Sequence, residues 1–263
     1  MKVLVLNGSP RVEKSNTQRI LRPLIGGMRK AGAEVEHRYL AKLTINPCLG
    51  CFRCWVQSAG RCHAHRDDMD ELLPLHLGAD ILVLGFPLYF FTFPALVKNM
   101  LERLLPAGMP WLVPHPAEPQ LITHPPRDDK TRRLFIVSTA GLPGRQHFYS
   151  LVQTARQIAL MAHIEYAGHI LCPAAEALRI KTLWFKQRPF FNAVRQAGID
   201  LVREGSLSEQ TQKRLEAELM PGGDQAYIER ANAYWIERMA RHDITAEPPP
   251  EAPLPKKYRR TTG

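Results

Sequence analysis

Hydrophobic and polar positions along the first two thirds of the chain follow two alternating patterns. Residues 2–6 are mostly apolar and stop at the polar stretch Asn7-Gly8-Ser9-Pro10-Arg11. Over residues 16–31 the apolar side chains Ile20, Leu21, Leu24, Ile25 and Met28 recur at helical spacing. Gly32 follows, where a left-handed residue commonly closes a helix. Residues 34–40 alternate, which predicts a strand nearer a sheet edge, whereas 80–86 is apolar after Asp80, as in a strand buried on both faces. Further strands are predicted at 133–139 and 164–171. Helices are predicted at 67–78, 94–105 and 147–162. Five strands alternating with helices predict an α/β fold, a doubly wound five-stranded parallel sheet with helices on both faces. A central first strand and an edge second strand give the order 2-1-3-4-5, whose switch point lies between the first and third strands.

Two stretches depart from this alternation. Residues 106–126 are rich in proline and predict an insertion near the carboxyl edge of the sheet. Residues 174–241 read as mostly helical, most clearly at 211–219 and 225–240. The expected organisation is a cofactor-binding domain over 1–171, a helical C-terminal extension over 172–246 and a disordered proline-rich, then basic, tail over 247–263.

Charge changes this picture little. The 263 residues carry a net charge of +10, but the basic residues are scattered and form no nucleic-acid-binding module. A basic surface that attracts anionic cofactors or substrates is the expectation. The apolar start is too short for a signal sequence. The longest uncharged stretch, 81–97, holds Pro87 and Pro94 and reads as strand, loop and helix start rather than a membrane span. A cytoplasmic protein with no nucleic-acid or membrane partner is expected.

The candidate chemistry begins where the first strand hands over to the first helix. A helix N-terminus offers unpaired N–H groups and a partial positive charge. Ser9, Arg11, Ser15, Asn16 and Thr17 add hydroxyl, amide and guanidinium donors. The loop lacks both G-x-x-x-x-G-K-[ST] and G-x-G-x-x-G, and its hydroxyls suit a terminal phosphomonoester. The alternative is a simple helix cap at Ser15. Four of the five cysteines, Cys48, Cys51, Cys54 and Cys62, fall in the pattern C-x2-C-x2-C-x7-C. In a reducing compartment such spacing points to metal or redox chemistry before a structural disulfide. A structural loop, a [4Fe–4S] cluster, and zinc or a regulatory disulfide all stay open.

Asn7-Gly8-Ser9-Pro10-Arg11 with Ser15-Asn16-Thr17 resembles the phosphate loop of the NADPH-dependent FMN reductases, a branch of the flavodoxin-like superfamily. Phe86-Pro87-Leu88-Tyr89-Phe90 and Ser138-Thr139-Ala140-Gly141-Leu142-Pro143-Gly144 resemble that family's second and third flavin loops. The cysteine cluster is similar to a subgroup that includes the iron–sulfur flavoproteins. The resemblance implies that Ser9, Arg11, Ser15, Asn16 and Thr17 hold the FMN phosphate. Pro87, Leu88, Tyr89 and Phe90 would lie along the isoalloxazine, and Thr139, Ala140 and Gly141 would give backbone contacts to its polar edge. Ordinary core packing is the alternative for Tyr89-Phe90-Phe91. The resemblance also implies NAD(P)H as co-substrate, a small-molecule electron acceptor (a quinone, an azo or nitro compound, or a flavin) and a homo-oligomer. No catalytic side chain is expected, because the hydride chemistry belongs to the flavin. The rival function is single-electron transfer to a ferredoxin-like partner through a [4Fe–4S] cluster on Cys48, Cys51, Cys54 and Cys62.

Overall fold

The computed structural model describes residues 1–244; the expected tail over 247–263 lies outside them. The strands are β1 (Lys2–Asn7), β2 (Glu34–Tyr39), β3 (Ile81–Pro87), the short β4 (Val113–Pro114) and β5 (Ile122–Thr123), β6 (Arg133–Thr139) and β7 (Glu165–Cys172). The helices are α1 (Asn16–Lys30), α2 (Arg53–Val56), α3 (Met69–Gly78), α4 (Ala95–Glu102), α5 (Tyr149–Met161), α6 (Trp184–Arg203), α7 (Glu209–Leu215) and α8 (Gly223–Ala240).

The main sheet is parallel and runs β2-β1-β3-β6-β7, which is the order 2-1-3-4-5 among its own strands. Val3, Leu4, Val5 and Leu6 of β1 are buried, as are Ile81, Leu82, Val83 and Leu84 of β3. Buried flanks on both faces explain why these strands read as unbroken apolar runs. The edge strand β2 is only half-buried, in line with its alternation. The predicted helix at 94–105 ends earlier, at Glu102. Its remaining residues pass into a 3-10 turn over Leu105–Ala107, because Pro106 supplies no helical N–H. The insertion at 106–126 is not entirely irregular: β4 and β5 pair there as a small antiparallel ribbon.

The described residues fall into two compact units, one over Met1–Leu219 and one that begins at Met220. The first runs past 171 because α6 packs on α1 through backbone-to-backbone approach. A Cβ at Gly27 would overlap the carbonyl oxygen of Arg195, and one at Gly198 the carbonyl oxygen of Leu24. Ala193, Val194, Ala197 and Leu201 of α6 are buried alongside. The second unit is described from Met220 through α8, on which Tyr234 and Trp235 stack edge to face and are half-exposed.

Candidate functional site

The carboxyl ends of β1, β3 and β6 converge at the switch point, and three loops leave from it. The first is held tightly. Asn7 Oδ1 accepts a hydrogen bond from Ser9 N at 2.9 Å, and Asn7 Nδ2 donates to Gln18 Oε1 at 2.9 Å. Gly8 N donates to Gly85 O at 2.7 Å, and a Cβ on Gly8 would overlap Val97 Cγ2. Glycine here leaves room for Val97 of α4 to pack against the loop. A short 3-10 turn, Val12–Lys14, then delivers the chain to the N-terminus of α1.

Around that N-terminus lies a cavity of about 210 Å³. Ser9, Arg11, Ser15, Asn16 and Thr17 line it together with Pro87, Leu88 and Tyr89, and with Thr139, Ala140 and Gly141. Eleven of the twelve residues singled out from the sequence therefore meet in one place; Phe90 does not. Phe90 is 96% exposed, at the tip of a tight turn in which Tyr89 and Thr92 exchange backbone hydrogen bonds. Both Phe90 and Phe91 have positive φ, 45° and 64°. The core-packing alternative for these aromatics is thereby overturned.

The donor set fits an anion. The first N–H groups of an α-helix have no intrahelical partner, and here the first two residues of α1, Asn16 and Thr17, line the cavity. Ser9 Oγ accepts from Arg11 N at 3.4 Å and keeps its proton to donate. Thr17 Oγ1 and Thr139 Oγ1 share one hydrogen bond of 3.1 Å, which leaves one hydroxyl proton of the pair free. Asn16 Oδ1, an acceptor, is buried with no partner among the described residues, so it calls for a hydroxyl or N–H of a ligand rather than for the anion itself. A buried amide with unmet capacity marks a place where a ligand completes the network. Pro87 and Leu88 add an apolar flank beside these polar groups.

Three details correct the expected roles. Ser15 Oγ donates to Val12 O at 2.7 Å and accepts from Gln18 N at 3.0 Å, so its hydroxyl caps α1 and has no proton left for a phosphate. Ala140 N donates to Cys172 O at 2.9 Å, which leaves that residue no backbone donor for a ring edge. Arg11 is not free either: its side chain, 65% exposed, pairs with Glu176 at 3.5 Å on the cavity rim. Glu176 and Ala175 escaped the sequence reading. No motif marks them. They reach the cavity because Ala175 N donates to Ala140 O at 2.8 Å, folding the segment after β7 back over the site.

The four clustered cysteines also meet. Cys48, Cys51, Cys54 and Cys62 line one small hollow of about 20 Å³, and all are free thiols. Burial pushes the Cys54 thiol up, and the other three thiols act in the same direction. Among the described residues no three His, Cys, Asp or Glu side chains stand grouped as metal ligands. The chemistry of the donors, four free thiols lining one part-open hollow, suits a thiolate-bound group. His65 of the same loop is tied to Pro47 O at 3.0 Å through Nε2. The fifth cysteine, Cys172, is a core residue whose thiol burial pushes up to about 12.

Known proteins resemble this chain over part of its length. An iron–sulfur flavoprotein of Methanocaldococcus jannaschii is 38% identical over 106 residues, 40% of this chain and 53% of the relative. An FMN-dependent NADH:quinone oxidoreductase of Pseudomonas fluorescens is 28% identical over 116 residues, 41% of this chain and 58% of the relative. The chain spans about half the length of the curated relatives it matches. Among solved structures, an FMN-dependent NADH-azoreductase from Bacillus anthracis in complex with FMN superimposes with a TM-score of 0.57 at 15% identity, over 77% of this chain and 100% of that one. At that identity the likeness is one of fold. The sequence profile of the flavodoxin-like fold family matches residues 1–181, and with the strand order and switch-point loops described above, the chain belongs to that family.

Proposed function

We propose that the protein is an FMN-dependent NAD(P)H oxidoreductase that passes reducing equivalents to a small electrophile such as a quinone, an azo or nitro compound, or another flavin. The observation that carries this reading is the cavity at the head of α1, where helix N–H groups, hydroxyls and an apolar flank converge at the sheet's switch point. The relatives named for FMN-dependent reductions support it. Hydride acceptance and donation are the chemistry that FMN supplies when bound. Asn16 and Thr17 would hold the phosphate through backbone N–H groups, Ser9 through its hydroxyl, and Arg11 after exchanging Glu176 for the phosphate. Pro87, Leu88 and Tyr89 would line the ring and keep water from one side of it. We take the protein to work in the cytoplasm as a homo-oligomer, with a small-molecule acceptor as its partner. No described helix is long and apolar enough to cross a membrane. The test is NADH and NADPH oxidation by the FMN-loaded protein against a panel of quinones and azo dyes. Turnover above that of free FMN supports the reading, and turnover equal to it rejects the enzymatic role.

A second reading rests on the cysteine hollow. Relatives named iron–sulfur flavoproteins favour a [4Fe–4S] cluster held by Cys48, Cys51, Cys54 and Cys62, which would relay single electrons to a ferredoxin-like partner. Anaerobic purification with iron and sulfide assays separates the two. About four irons per chain, with acceptor reduction lost in Cys54→Ser, selects the electron-transfer reading. No iron and an active Cys54→Ser protein selects the reductase.

A further inference from the structure

A cavity of about 520 Å³ lies at the junction of the cysteine loop and α3, and it shares no lining residue with the cavity at the head of α1. Its apolar side comes from α3, where Pro74 and Leu77 present surface above Met69 and Leu73, which are 3% and 6% exposed and belong to the core. Its polar side is cationic. Arg61, Arg66 and Arg103 line it, against one carboxylate, Asp70. Arg103 is already taken by Asp67. The other two guanidinium groups are nearly idle: that of Arg61 has no partner among the described residues, and Arg66 reaches Asp70 only at 3.9 Å and Cys62 O at 3.4 Å. Arg127 packs beneath the same lining. It donates from Nε to Pro106 O at 2.9 Å, its side chain lies against Gly60, and its Nη2 is buried without a partner among the described residues.

We propose that this cavity is a second ligand site, one that takes a small organic anion with an apolar body. The carboxylate would sit on Arg61 and Arg66, and the hydrocarbon would lie along Pro74 and Leu77, with Met69 and Leu73 behind them. Guanidinium groups are the side chains best matched to a carboxylate, because two parallel N–H bonds fit its two oxygens. A purely polar anion would leave the α3 face unused, and an uncharged ligand would leave the two arginines unpaired. The volume is within the range of about 300–1,000 Å³ usual for small-molecule sites. Cys62 lines both this cavity and the cysteine hollow, so an occupant would touch the cysteine loop. The proposal goes beyond the FMN reading and does not depend on it.

Calorimetric titration with biphenyl-4-carboxylate and its neutral isostere biphenyl-4-carboxamide tests this directly, run once without added flavin and once with excess FMN. The expected result is one carboxylate bound per chain and binding of the amide weaker by about tenfold or more, the loss of a charge-assisted bidentate contact. The double variant Arg61→Ala/Arg66→Ala should weaken carboxylate binding by about tenfold or more, with an unchanged circular dichroism spectrum. Leu77→Glu, which sets a like charge in the apolar wall, should abolish it. Absence of carboxylate binding, equal affinity for the amide, an unaffected double variant, or displacement of the carboxylate by FMN overturns the proposal. FMN binding is read separately, so failure of the flavin reading leaves these outcomes distinct.

Discussion

Arg103 grips Asp67 with two hydrogen bonds, Nη1 to Oδ2 at 2.6 Å and Nη2 to Oδ1 at 3.1 Å, with side chains only 2% and 1% exposed. The pair joins the end of α4 to the start of α3 across the cysteine loop, and Arg103 also donates to Asn46 O at 2.7 Å. Burial works against the Asp67 charge, but Arg103 and the N–H groups of Asn46 and Met69 outweigh it and hold the carboxyl down to about 2. A carboxyl with a folded pKa below its unfolded value stabilises the fold above the unfolded pKa and loses that contribution as the pH falls toward the folded one. Relative to an ordinary carboxyl near 3.9, the contribution is about 2–3 kcal/mol, lost between about pH 4 and pH 2. Urea midpoints measured across that window should fall in the wild type and fall less in Asp67→Asn. Arg103→Met leaves a buried carboxylate unpaired and should cost about 3–5 kcal/mol at pH 7. Parallel acid curves for wild type and Asp67→Asn would contradict this account.

The α1–α6 contact makes a prediction with an unusual sign. In an exposed helix, glycine to alanine stabilises by about 1 kcal/mol. At Gly198 the new methyl would overlap Leu24 O, and at Gly27 it would overlap Arg195 O. Gly198→Ala should therefore destabilise, by about 1–3 kcal/mol from overpacking. Thermal unfolding decides the sign.

Phe90 and Phe91 occupy both central positions of a two-residue turn with positive φ. Such a turn favours Asn-Gly, and each bulky residue there carries strain of about 1–2 kcal/mol. The double variant Phe90→Asn/Phe91→Gly should raise Tm, at about 2–4 °C per kcal/mol gained. The same variant should weaken acceptor reduction if the exposed rings meet the substrate. A lower Tm would show that the aromatic turn is packed rather than strained.

Much of this was legible in the chain because buried parallel strands write themselves as unbroken apolar runs, and β1 and β3 do so. The first switch-point loop was legible for a chemical reason, since Ser9, Asn16 and Thr17 gather donors at a helix start; the second and third were legible only through their resemblance to flavin loops. What the sequence hid has physical causes. The seating of α6 depends on Gly27 and Gly198, which leave no apolar periodicity to read. Glu176 reaches the cavity through a backbone bond from Ala175, which any residue could make. The commitment of Ser15 Oγ to Val12 O depends on the 3-10 turn before α1, whose geometry no side-chain pattern announces.

The anion contacts around α1 give a further expectation. Ser9→Ala with Arg11→Ala removes one hydroxyl donor and the rim guanidinium without touching the Ser15 cap. Charge-assisted hydrogen bonds are worth about 1.5–3 kcal/mol each, so FMN affinity should fall by about a hundredfold or more. Fluorescence quenching of FMN on titration measures it. Ser15→Ala should instead show up as a stability loss of about 1 kcal/mol, the value of a helix cap.

The central claim is that the cavity at the head of α1 holds FMN. Apoprotein reconstituted with an equimolar mixture of FMN and FAD, desalted, heat-released and read by mass spectrometry tests it most directly. The account predicts about one FMN per chain and little FAD, because the helix N-terminus takes a terminal phosphate. Retention of FAD in preference, or of no flavin at all, would contradict it.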